Sequence, residues 1–131
     1  MTKISKTNSI EQVQKHLTSE CFNKLFIGGQ FVDPIDGQKM PTHYPATGEV
    51  FHELPKGNAN DIGSAIRAAE AAWSDGAWAN MPASARGDLV ARMAQGIEEN
   101  IEVLAAIEAA DVGKPFRQAA MVLGGAASEG K

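Results

Sequence analysis

Apolar and polar positions along the chain follow two different periods, and the change falls near Pro55. Before that point the apolar residues come in short runs separated by turn residues. Ser9 followed by Gln12 reads as a capping box, with Ile10, Val13 and Leu17 on one face of a short helix within residues 1–24. Cys21 continues that apolar line and is expected to be a small packed side chain. Leu25-Phe26-Ile27 and Gln30-Phe31-Val32 flank Gly28-Gly29, a tight hairpin signal. Asp33-Pro34-Ile35-Asp36-Gly37 and Tyr44-Pro45-Ala46-Thr47-Gly48-Glu49 are turn sequences, the second leading into Val50-Phe51-His52-Glu53-Leu54. The spacing predicts three or four short antiparallel strands between Leu25 and Leu54.

After Gly57 the period becomes helical. Asn58 offers an acceptor to the amide of Asp61, and Ile62, Ala65, Ile66, Ala69, Ala72 and Trp73 form one face until Gly76. Pro82 stands where a first helical turn tolerates it, and Leu89, Val90, Met93 and Ile97 lie opposite Arg86, Arg92 and Glu99. Asn100 marks an interruption. Val103, Leu104 and Ile107 rebuild the stripe until Asp111-Val112-Gly113-Lys114-Pro115 ends it, with Gly and Pro in stopping order. The pattern therefore predicts short antiparallel strands followed by two amphipathic helices, an α+β arrangement. From Ala119 to Lys131 small residues and a Gly-Gly pair show little periodicity, and no regular structure is expected there.

With 131 residues the chain is one domain's worth of sequence. Its net charge of -4, without a basic stripe, argues against nucleic acid or an anionic membrane as partner. One cysteine excludes a disulfide framework and fits a reducing compartment, so the cytoplasm is the expected location. Charged residues interrupt Met1 to Phe22, leaving no apolar run that reads as a signal peptide or membrane span.

Candidate chemistry is sparse. His16, His43 and His52 lie in three separate elements without a ligand at zinc spacing. Cys21 has no base beside it in sequence beyond Lys24, and no nucleophile-elbow sequence occurs. Gly28-Gly29 precedes a strand, and Gly124-Gly125 lacks the third glycine of a dinucleotide fingerprint. Glu98, Glu99 and Glu102 read as a solvated helix face, and Trp73 and Trp78 as packing at a helix end. The residues assign no catalytic and no cofactor-binding position.

Several of these segments, in order, resemble the start of the aldehyde dehydrogenase superfamily. They are Leu25 to Asp33, then Tyr44-Pro45-Ala46-Thr47-Gly48-Glu49-Val50, the Ala-rich helix Asp61 to Trp73, Pro82 with Arg86, and Asp111 to Pro115. Tyr44 stands where the family usually has Asn. The resemblance implies an α/β fold class, α+β in the portion present, in which 25–118 is part of a Rossmann-like cofactor domain, 1–24 precedes it, and 119–131 diverges. It further implies an NAD- or NADP-dependent oxidation of an aldehyde to a carboxylic acid. The nucleophilic cysteine, the glutamate that activates water and the residues gripping the dinucleotide are expected beyond Lys131, so this chain is not expected to bind the cofactor or to be catalytic alone. A truncated copy or a shift of reading frame near Ala119 is the expectation that follows. Many family members also hold a structural monovalent cation, which here implies the carbonyl of Thr42 or His43 together with Asp111. The alternative reading is a non-catalytic interaction module whose bare apolar stripes associate with the rest of the enzyme, a homologue or itself.

Overall fold

In the computed structural model, which describes residues 10–129, the short-run half of the chain forms two separate antiparallel ribbons and the periodic half forms helices. Strand β1 (Leu25–Ile27) turns at Gly28-Gly29 into β2 (Gln30–Val32), with Phe26 paired to Phe31. Both turn glycines have positive φ, the conformation a two-residue hairpin demands and side chains resist. The second ribbon joins β3 (Lys39–His43) to β4 (Val50–Pro55). Its turn is closed by the Gly48 amide donating to the Tyr44 carbonyl at 2.7 Å and the Tyr44 amide to the Glu49 carbonyl at 2.8 Å. Thr42 lies opposite His52, and the register shifts between Thr42 and His43.

Ahead of the ribbons come α1 (Ile10–His16) and α2 (Glu20–Asn23); Ser9 of the expected capping box lies outside the described residues. Behind them come α3 (Ala59–Ser74), α4 (Ala83–Glu99), α5 (Ile101–Val112) and α6 (Phe116–Glu129). At the start of α3 the Asn58 side chain accepts from the Asn60 and Asp61 amides, and Asp61 accepts in return from the Asn58 amide. That reciprocal pair satisfies donors the first helical turn leaves over.

The fold class stands as expected, but the helix count does not. Asn100 leaves helical geometry at φ -113 and ψ 12 and donates its side-chain amide to the Gly96 carbonyl, so the expected second helix is two, α4 and α5. The structureless tail is corrected as well. Residues Phe116 to Glu129 are helical, with Pro115 accepting from the Gln118 and Ala119 amides in the first turn. Ala119 and Ala127, both 0% exposed, lie on the side of α6 that meets α4 and α5. Packing outweighs the cost, about 1 kcal/mol per glycine, that Gly124 and Gly125 impose on a helix.

The core is small. Val13, Leu17, Phe51, Ala106 and Ala110 form its buried cluster, with Ile10, Phe22, Tyr44 and Ile107 packed around it. Tyr44 meets Phe51 edge to face at 6.4 Å between centroids. Helix α5 is the central element because it touches α1, α4 and α6. By contrast α3 touches only the first ribbon among the larger contacts, and its line Ile62, Ile66 and Trp73 is 58%, 53% and 70% exposed. Two packing expectations fail here. Trp73 and Trp78 are exposed, Trp78 having the Arg86 guanidinium 6.0 Å from its ring centroid. Cys21 is exposed too, its Sγ 3.2 Å from the Ser19 hydroxyl, because α2 ends after one turn and leaves it on the outer side.

Candidate functional site

Thr42 and Asp111 are 69 positions apart, yet the Thr42 hydroxyl donates to Asp111 Oδ1 at 2.6 Å. Two local features bring them together. Thr42 is the last residue of β3 before the register shift, where a strand bends and pairs irregularly. Asp111 is in the last turn of α5, which stops at Gly113 in the left-handed conformation with its amide donating to the Ala109 carbonyl at 3.1 Å. His43, the third residue the resemblance implies, is adjacent along the chain, but its ring turns aside: Nδ1 lies 3.1 Å from the Gly48 carbonyl inside the turn. The structure thus joins the side chains of Thr42 and Asp111 and leaves His43 to the backbone of its own loop.

Behind this pair lies a cavity of about 290 Å³ between the second ribbon and α5. Its polar wall is Thr42, His52, Glu108 and Asp111, and most of the rest is apolar, including Phe22, Phe51 and Leu104. Glu108 is ion-paired with Lys114. His52 Nε2 is buried and has no hydrogen-bond partner. A buried polar atom left so is unusual, since the great majority find a partner. Among the described residues no group of three or more His, Cys, Asp or Glu converges closely enough to hold a metal ion.

His52 and Glu108 were not assigned to any site by the pattern of the chain. The signal for His52 is its pairing opposite Thr42, which puts both side chains on one face of the ribbon and requires the strand register. Glu108 sits three residues before Asp111, hence on the same face of α5, a signal open to anyone who already suspected Asp111.

Comparison with known proteins places this geometry. The aldehyde dehydrogenase family profile matches residues 31–129, so it runs through the segment Ala119 to Glu129 where divergence was expected. The mitochondrial benzaldehyde dehydrogenase of Antirrhinum majus is 40% identical over 114 residues, covering 87% of this chain and 21% of the relative. Aldehyde dehydrogenase 1 of Tanacetum cinerariifolium is 41% identical over 101 residues, covering 77% of this chain and 20% of the relative. Among solved structures, HpcC from Thermus thermophilus superposes with a TM-score of 0.83 at 30% identity, over 92% of this chain and 23% of that one. Betaine aldehyde dehydrogenase from Staphylococcus aureus, solved in complex with NAD+, superposes with a TM-score of 0.80 at 27% identity, over 87% of this chain and 22% of that one. The chain spans about a fifth of the length of the relatives it matches. The profile match, the sequence identity and the superposition agree, and the chain belongs to the aldehyde dehydrogenase family.

Proposed function

We propose that this chain contributes scaffold to NAD(P)-dependent oxidation of an aldehyde to a carboxylic acid and does not carry out that oxidation alone. The observation that carries the reading is the exposed apolar line Ile62, Ile66 and Trp73 of α3, in a segment that superposes on about a fifth of each solved relative. An amphipathic helix presents such a face to other protein. Aldehyde oxidation of this kind also needs a thiolate activated by its surroundings and a positioned hydride acceptor. Cys21, the one thiol, is exposed on the single-turn α2. The partner is accordingly the remaining part of an aldehyde dehydrogenase, or a subunit of one, and the dinucleotide is held by that partner.

The test is complementation. Residues 1–131 are mixed with a homologous enzyme shortened by the matching segment, and NADH formation is followed with benzaldehyde as substrate. Activity that needs both pieces is expected. Oxidation by this chain alone, or mixing without gain although the two pieces bind, would refute the scaffold reading.

A structural monovalent cation is part of the same proposal. Carbonyl and carboxylate oxygens suit a hard cation, and the ladder shifts register between Thr42 and His43, the first of which donates its hydroxyl to Asp111. Thr42, His43 and Asp111 would hold it, and its charge would tie the turn after β3 to the end of α5. Replacing potassium or sodium by tetramethylammonium is expected to lower the thermal midpoint, and an unchanged midpoint ends that part of the proposal. A reducing compartment, the cytoplasm in the simplest case, suits a chain whose one thiol is exposed.

A further inference from the structure

The first ribbon and α3 pack on each other and on little else. An added Cβ at Gly28, in the ribbon's turn, would meet Ala68 Cβ of α3 at 3.7 Å, and one at Gly57 would meet Leu25 Cδ1 at 3.6 Å. The Ile35 amide, just after β2, donates to Asp61 Oδ1 in the first turn of α3 at 3.2 Å. Across residues 25–37 and 57–75 only Pro34 and Asp61 are buried. The core cluster of Val13, Leu17, Phe51, Ala106 and Ala110 takes no member from either stretch. An ion pair does reach from Lys24 to Asp33, but at 4.0 Å with the aspartate largely in water it holds little. The two parts therefore share no buried apolar seam among the described residues.

The chain crosses between these parts at Lys24 to Leu25, Gly37 to Gln38, Lys56 to Gly57, and through the loop after α3. Glycine stands at the last three crossings, as Gly37, Gly57 and Gly76. Hinges are such short stretches, where a few residues absorb the change in φ and ψ. Beside two of them the second ribbon ends firmly, the Lys56 amide donating to the Gln38 carbonyl at 2.9 Å. Turning one part against the other keeps the bonds within each and uncovers little apolar surface, so little opposes it. We propose that β1, β2 and α3 form one strap that turns as a unit about Gly37, Gly57 and the loop after α3, while α1, α2, the second ribbon and α4 to α6 stay together. The strap carries the exposed line Ile62, Ile66 and Trp73, so its turning sets where that line points. A docked protein selects one of the orientations. Only this use in docking rests on the scaffold reading; the motion needs residues of this chain alone, and failed complementation would leave it standing.

The test is a spin-label distance measurement on the whole chain carrying Cys21→Ser, with nitroxides on pairs of exposed positions. Ala71→Cys with Gln95→Cys spans the strap and the rest, Gln30→Cys with Ala71→Cys lies within the strap, and Gln95→Cys with Gln118→Cys lies within the rest. The spanning distribution should be about twice as wide as the other two. A spanning distribution no wider than those within either part would overturn the proposal. So would a strap pair as wide as the spanning pair, since ribbon and helix would then not turn together. Gly57→Ala, whose added Cβ makes only ordinary contacts, should narrow the spanning distribution, and an unchanged width overturns the hinge there. On the unaltered chain, residual dipolar couplings of the strap should fit a weaker alignment than those of the rest. One alignment shared by both parts overturns the proposal whatever the labelled variants do.

Discussion

Asp61 is the buried carboxylate on which the entry to the helical half depends, and replacing it by Ala is expected to be strongly destabilising. It is 4% exposed and accepts two backbone donors from different segments. The Asn58 amide donates to Oδ2 at 2.9 Å, inside the capping box. The Ile35 amide donates to Oδ1 at 3.2 Å, from a turn 26 residues earlier. A hydrogen bond to a charged group contributes about 1.5 to 3 kcal/mol, and a buried amide left unpaired costs about 1 to 3. Asp61→Ala removes both acceptors. One bond is long and one is local to the cap, and both freed amides can reach water once the carboxylate is gone, so the low end of the bond range applies to each and the loss is about 3 kcal/mol. That is a large share of the 5 to 15 kcal/mol typical of whole domains. For a chain of this size it lowers the unfolding midpoint by on the order of 12 °C. Asp61→Asn keeps one acceptor oxygen and should lose about half as much. Urea and thermal unfolding followed by circular dichroism measure both variants. A loss below about 0.5 kcal/mol for Asp61→Ala would mean that Asp61 does not join the turn to the helix.

Gly113→Ala combines a side chain in the left-handed region, φ 71, with a Cβ placed 3.2 Å from Pro45 Cβ, and should cost about 1 to 2 kcal/mol by urea unfolding. Gly125→Ala tests the helical tail: an added Cβ there meets nothing within 4 Å, so the variant should gain about 0.5 to 1 kcal/mol, whereas no gain would argue against helix at that position. The Gln38 amide, then the Asn58 side chain, hold the Asp36 carboxyl below its ordinary value of 3.8. A carboxyl lowered in the folded state contributes stability above its unfolded value, and that contribution disappears as pH falls through the folded value. Asp36→Asn should therefore lower the midpoint at neutral pH and converge with the unaltered chain below about pH 3.8, as thermal scans across that range will show.

What was legible in the chain was whatever one local rule decides. The Gly28-Gly29 hairpin, the Asn58 cap and the stop at Gly113 each depend on residues within a few positions, and each forms where the pattern puts it. Helix α6 failed that test because its evidence is not local. Its buried residues are alanines, too small to give a strong apolar period, and only contact with α4 and α5 shows that Ala119 and Ala127 are core. Cys21 failed for the opposite reason, since its apolar line was real but α2 is too short to carry it inward. At the site, Asp111 and Thr42 entered through resemblance alone, and their contact spans 69 positions that no local pattern connects. His52 needed the strand register before it could be placed beside them.

The small core and the exposed stripe of α3 are two sides of one physical arrangement. Alanine gives close contacts but little apolar area, so Ala106 and Ala110, packed with Val13, Leu17 and Phe51, and Ala105, Ala119 and Ala127 on α5 and α6 are buried without removing much surface from water. Larger apolar groups, Ile62, Ile66, Trp73, Met93 and Met121, face outward instead. At about 25 cal/mol per Å² of apolar surface removed from water, it is these outward residues that hold most of the hydrophobic stabilisation still available to the chain. Whatever covers them binds only the folded form, and such a partner raises the stability of that form in proportion to the logarithm of its concentration over its dissociation constant. Under the proposed scaffold role, folding of this segment and its association with the rest of an aldehyde dehydrogenase form one linked equilibrium, and Asp61→Ala is expected to weaken association even though Asp61 is itself buried and outside the exposed stripe.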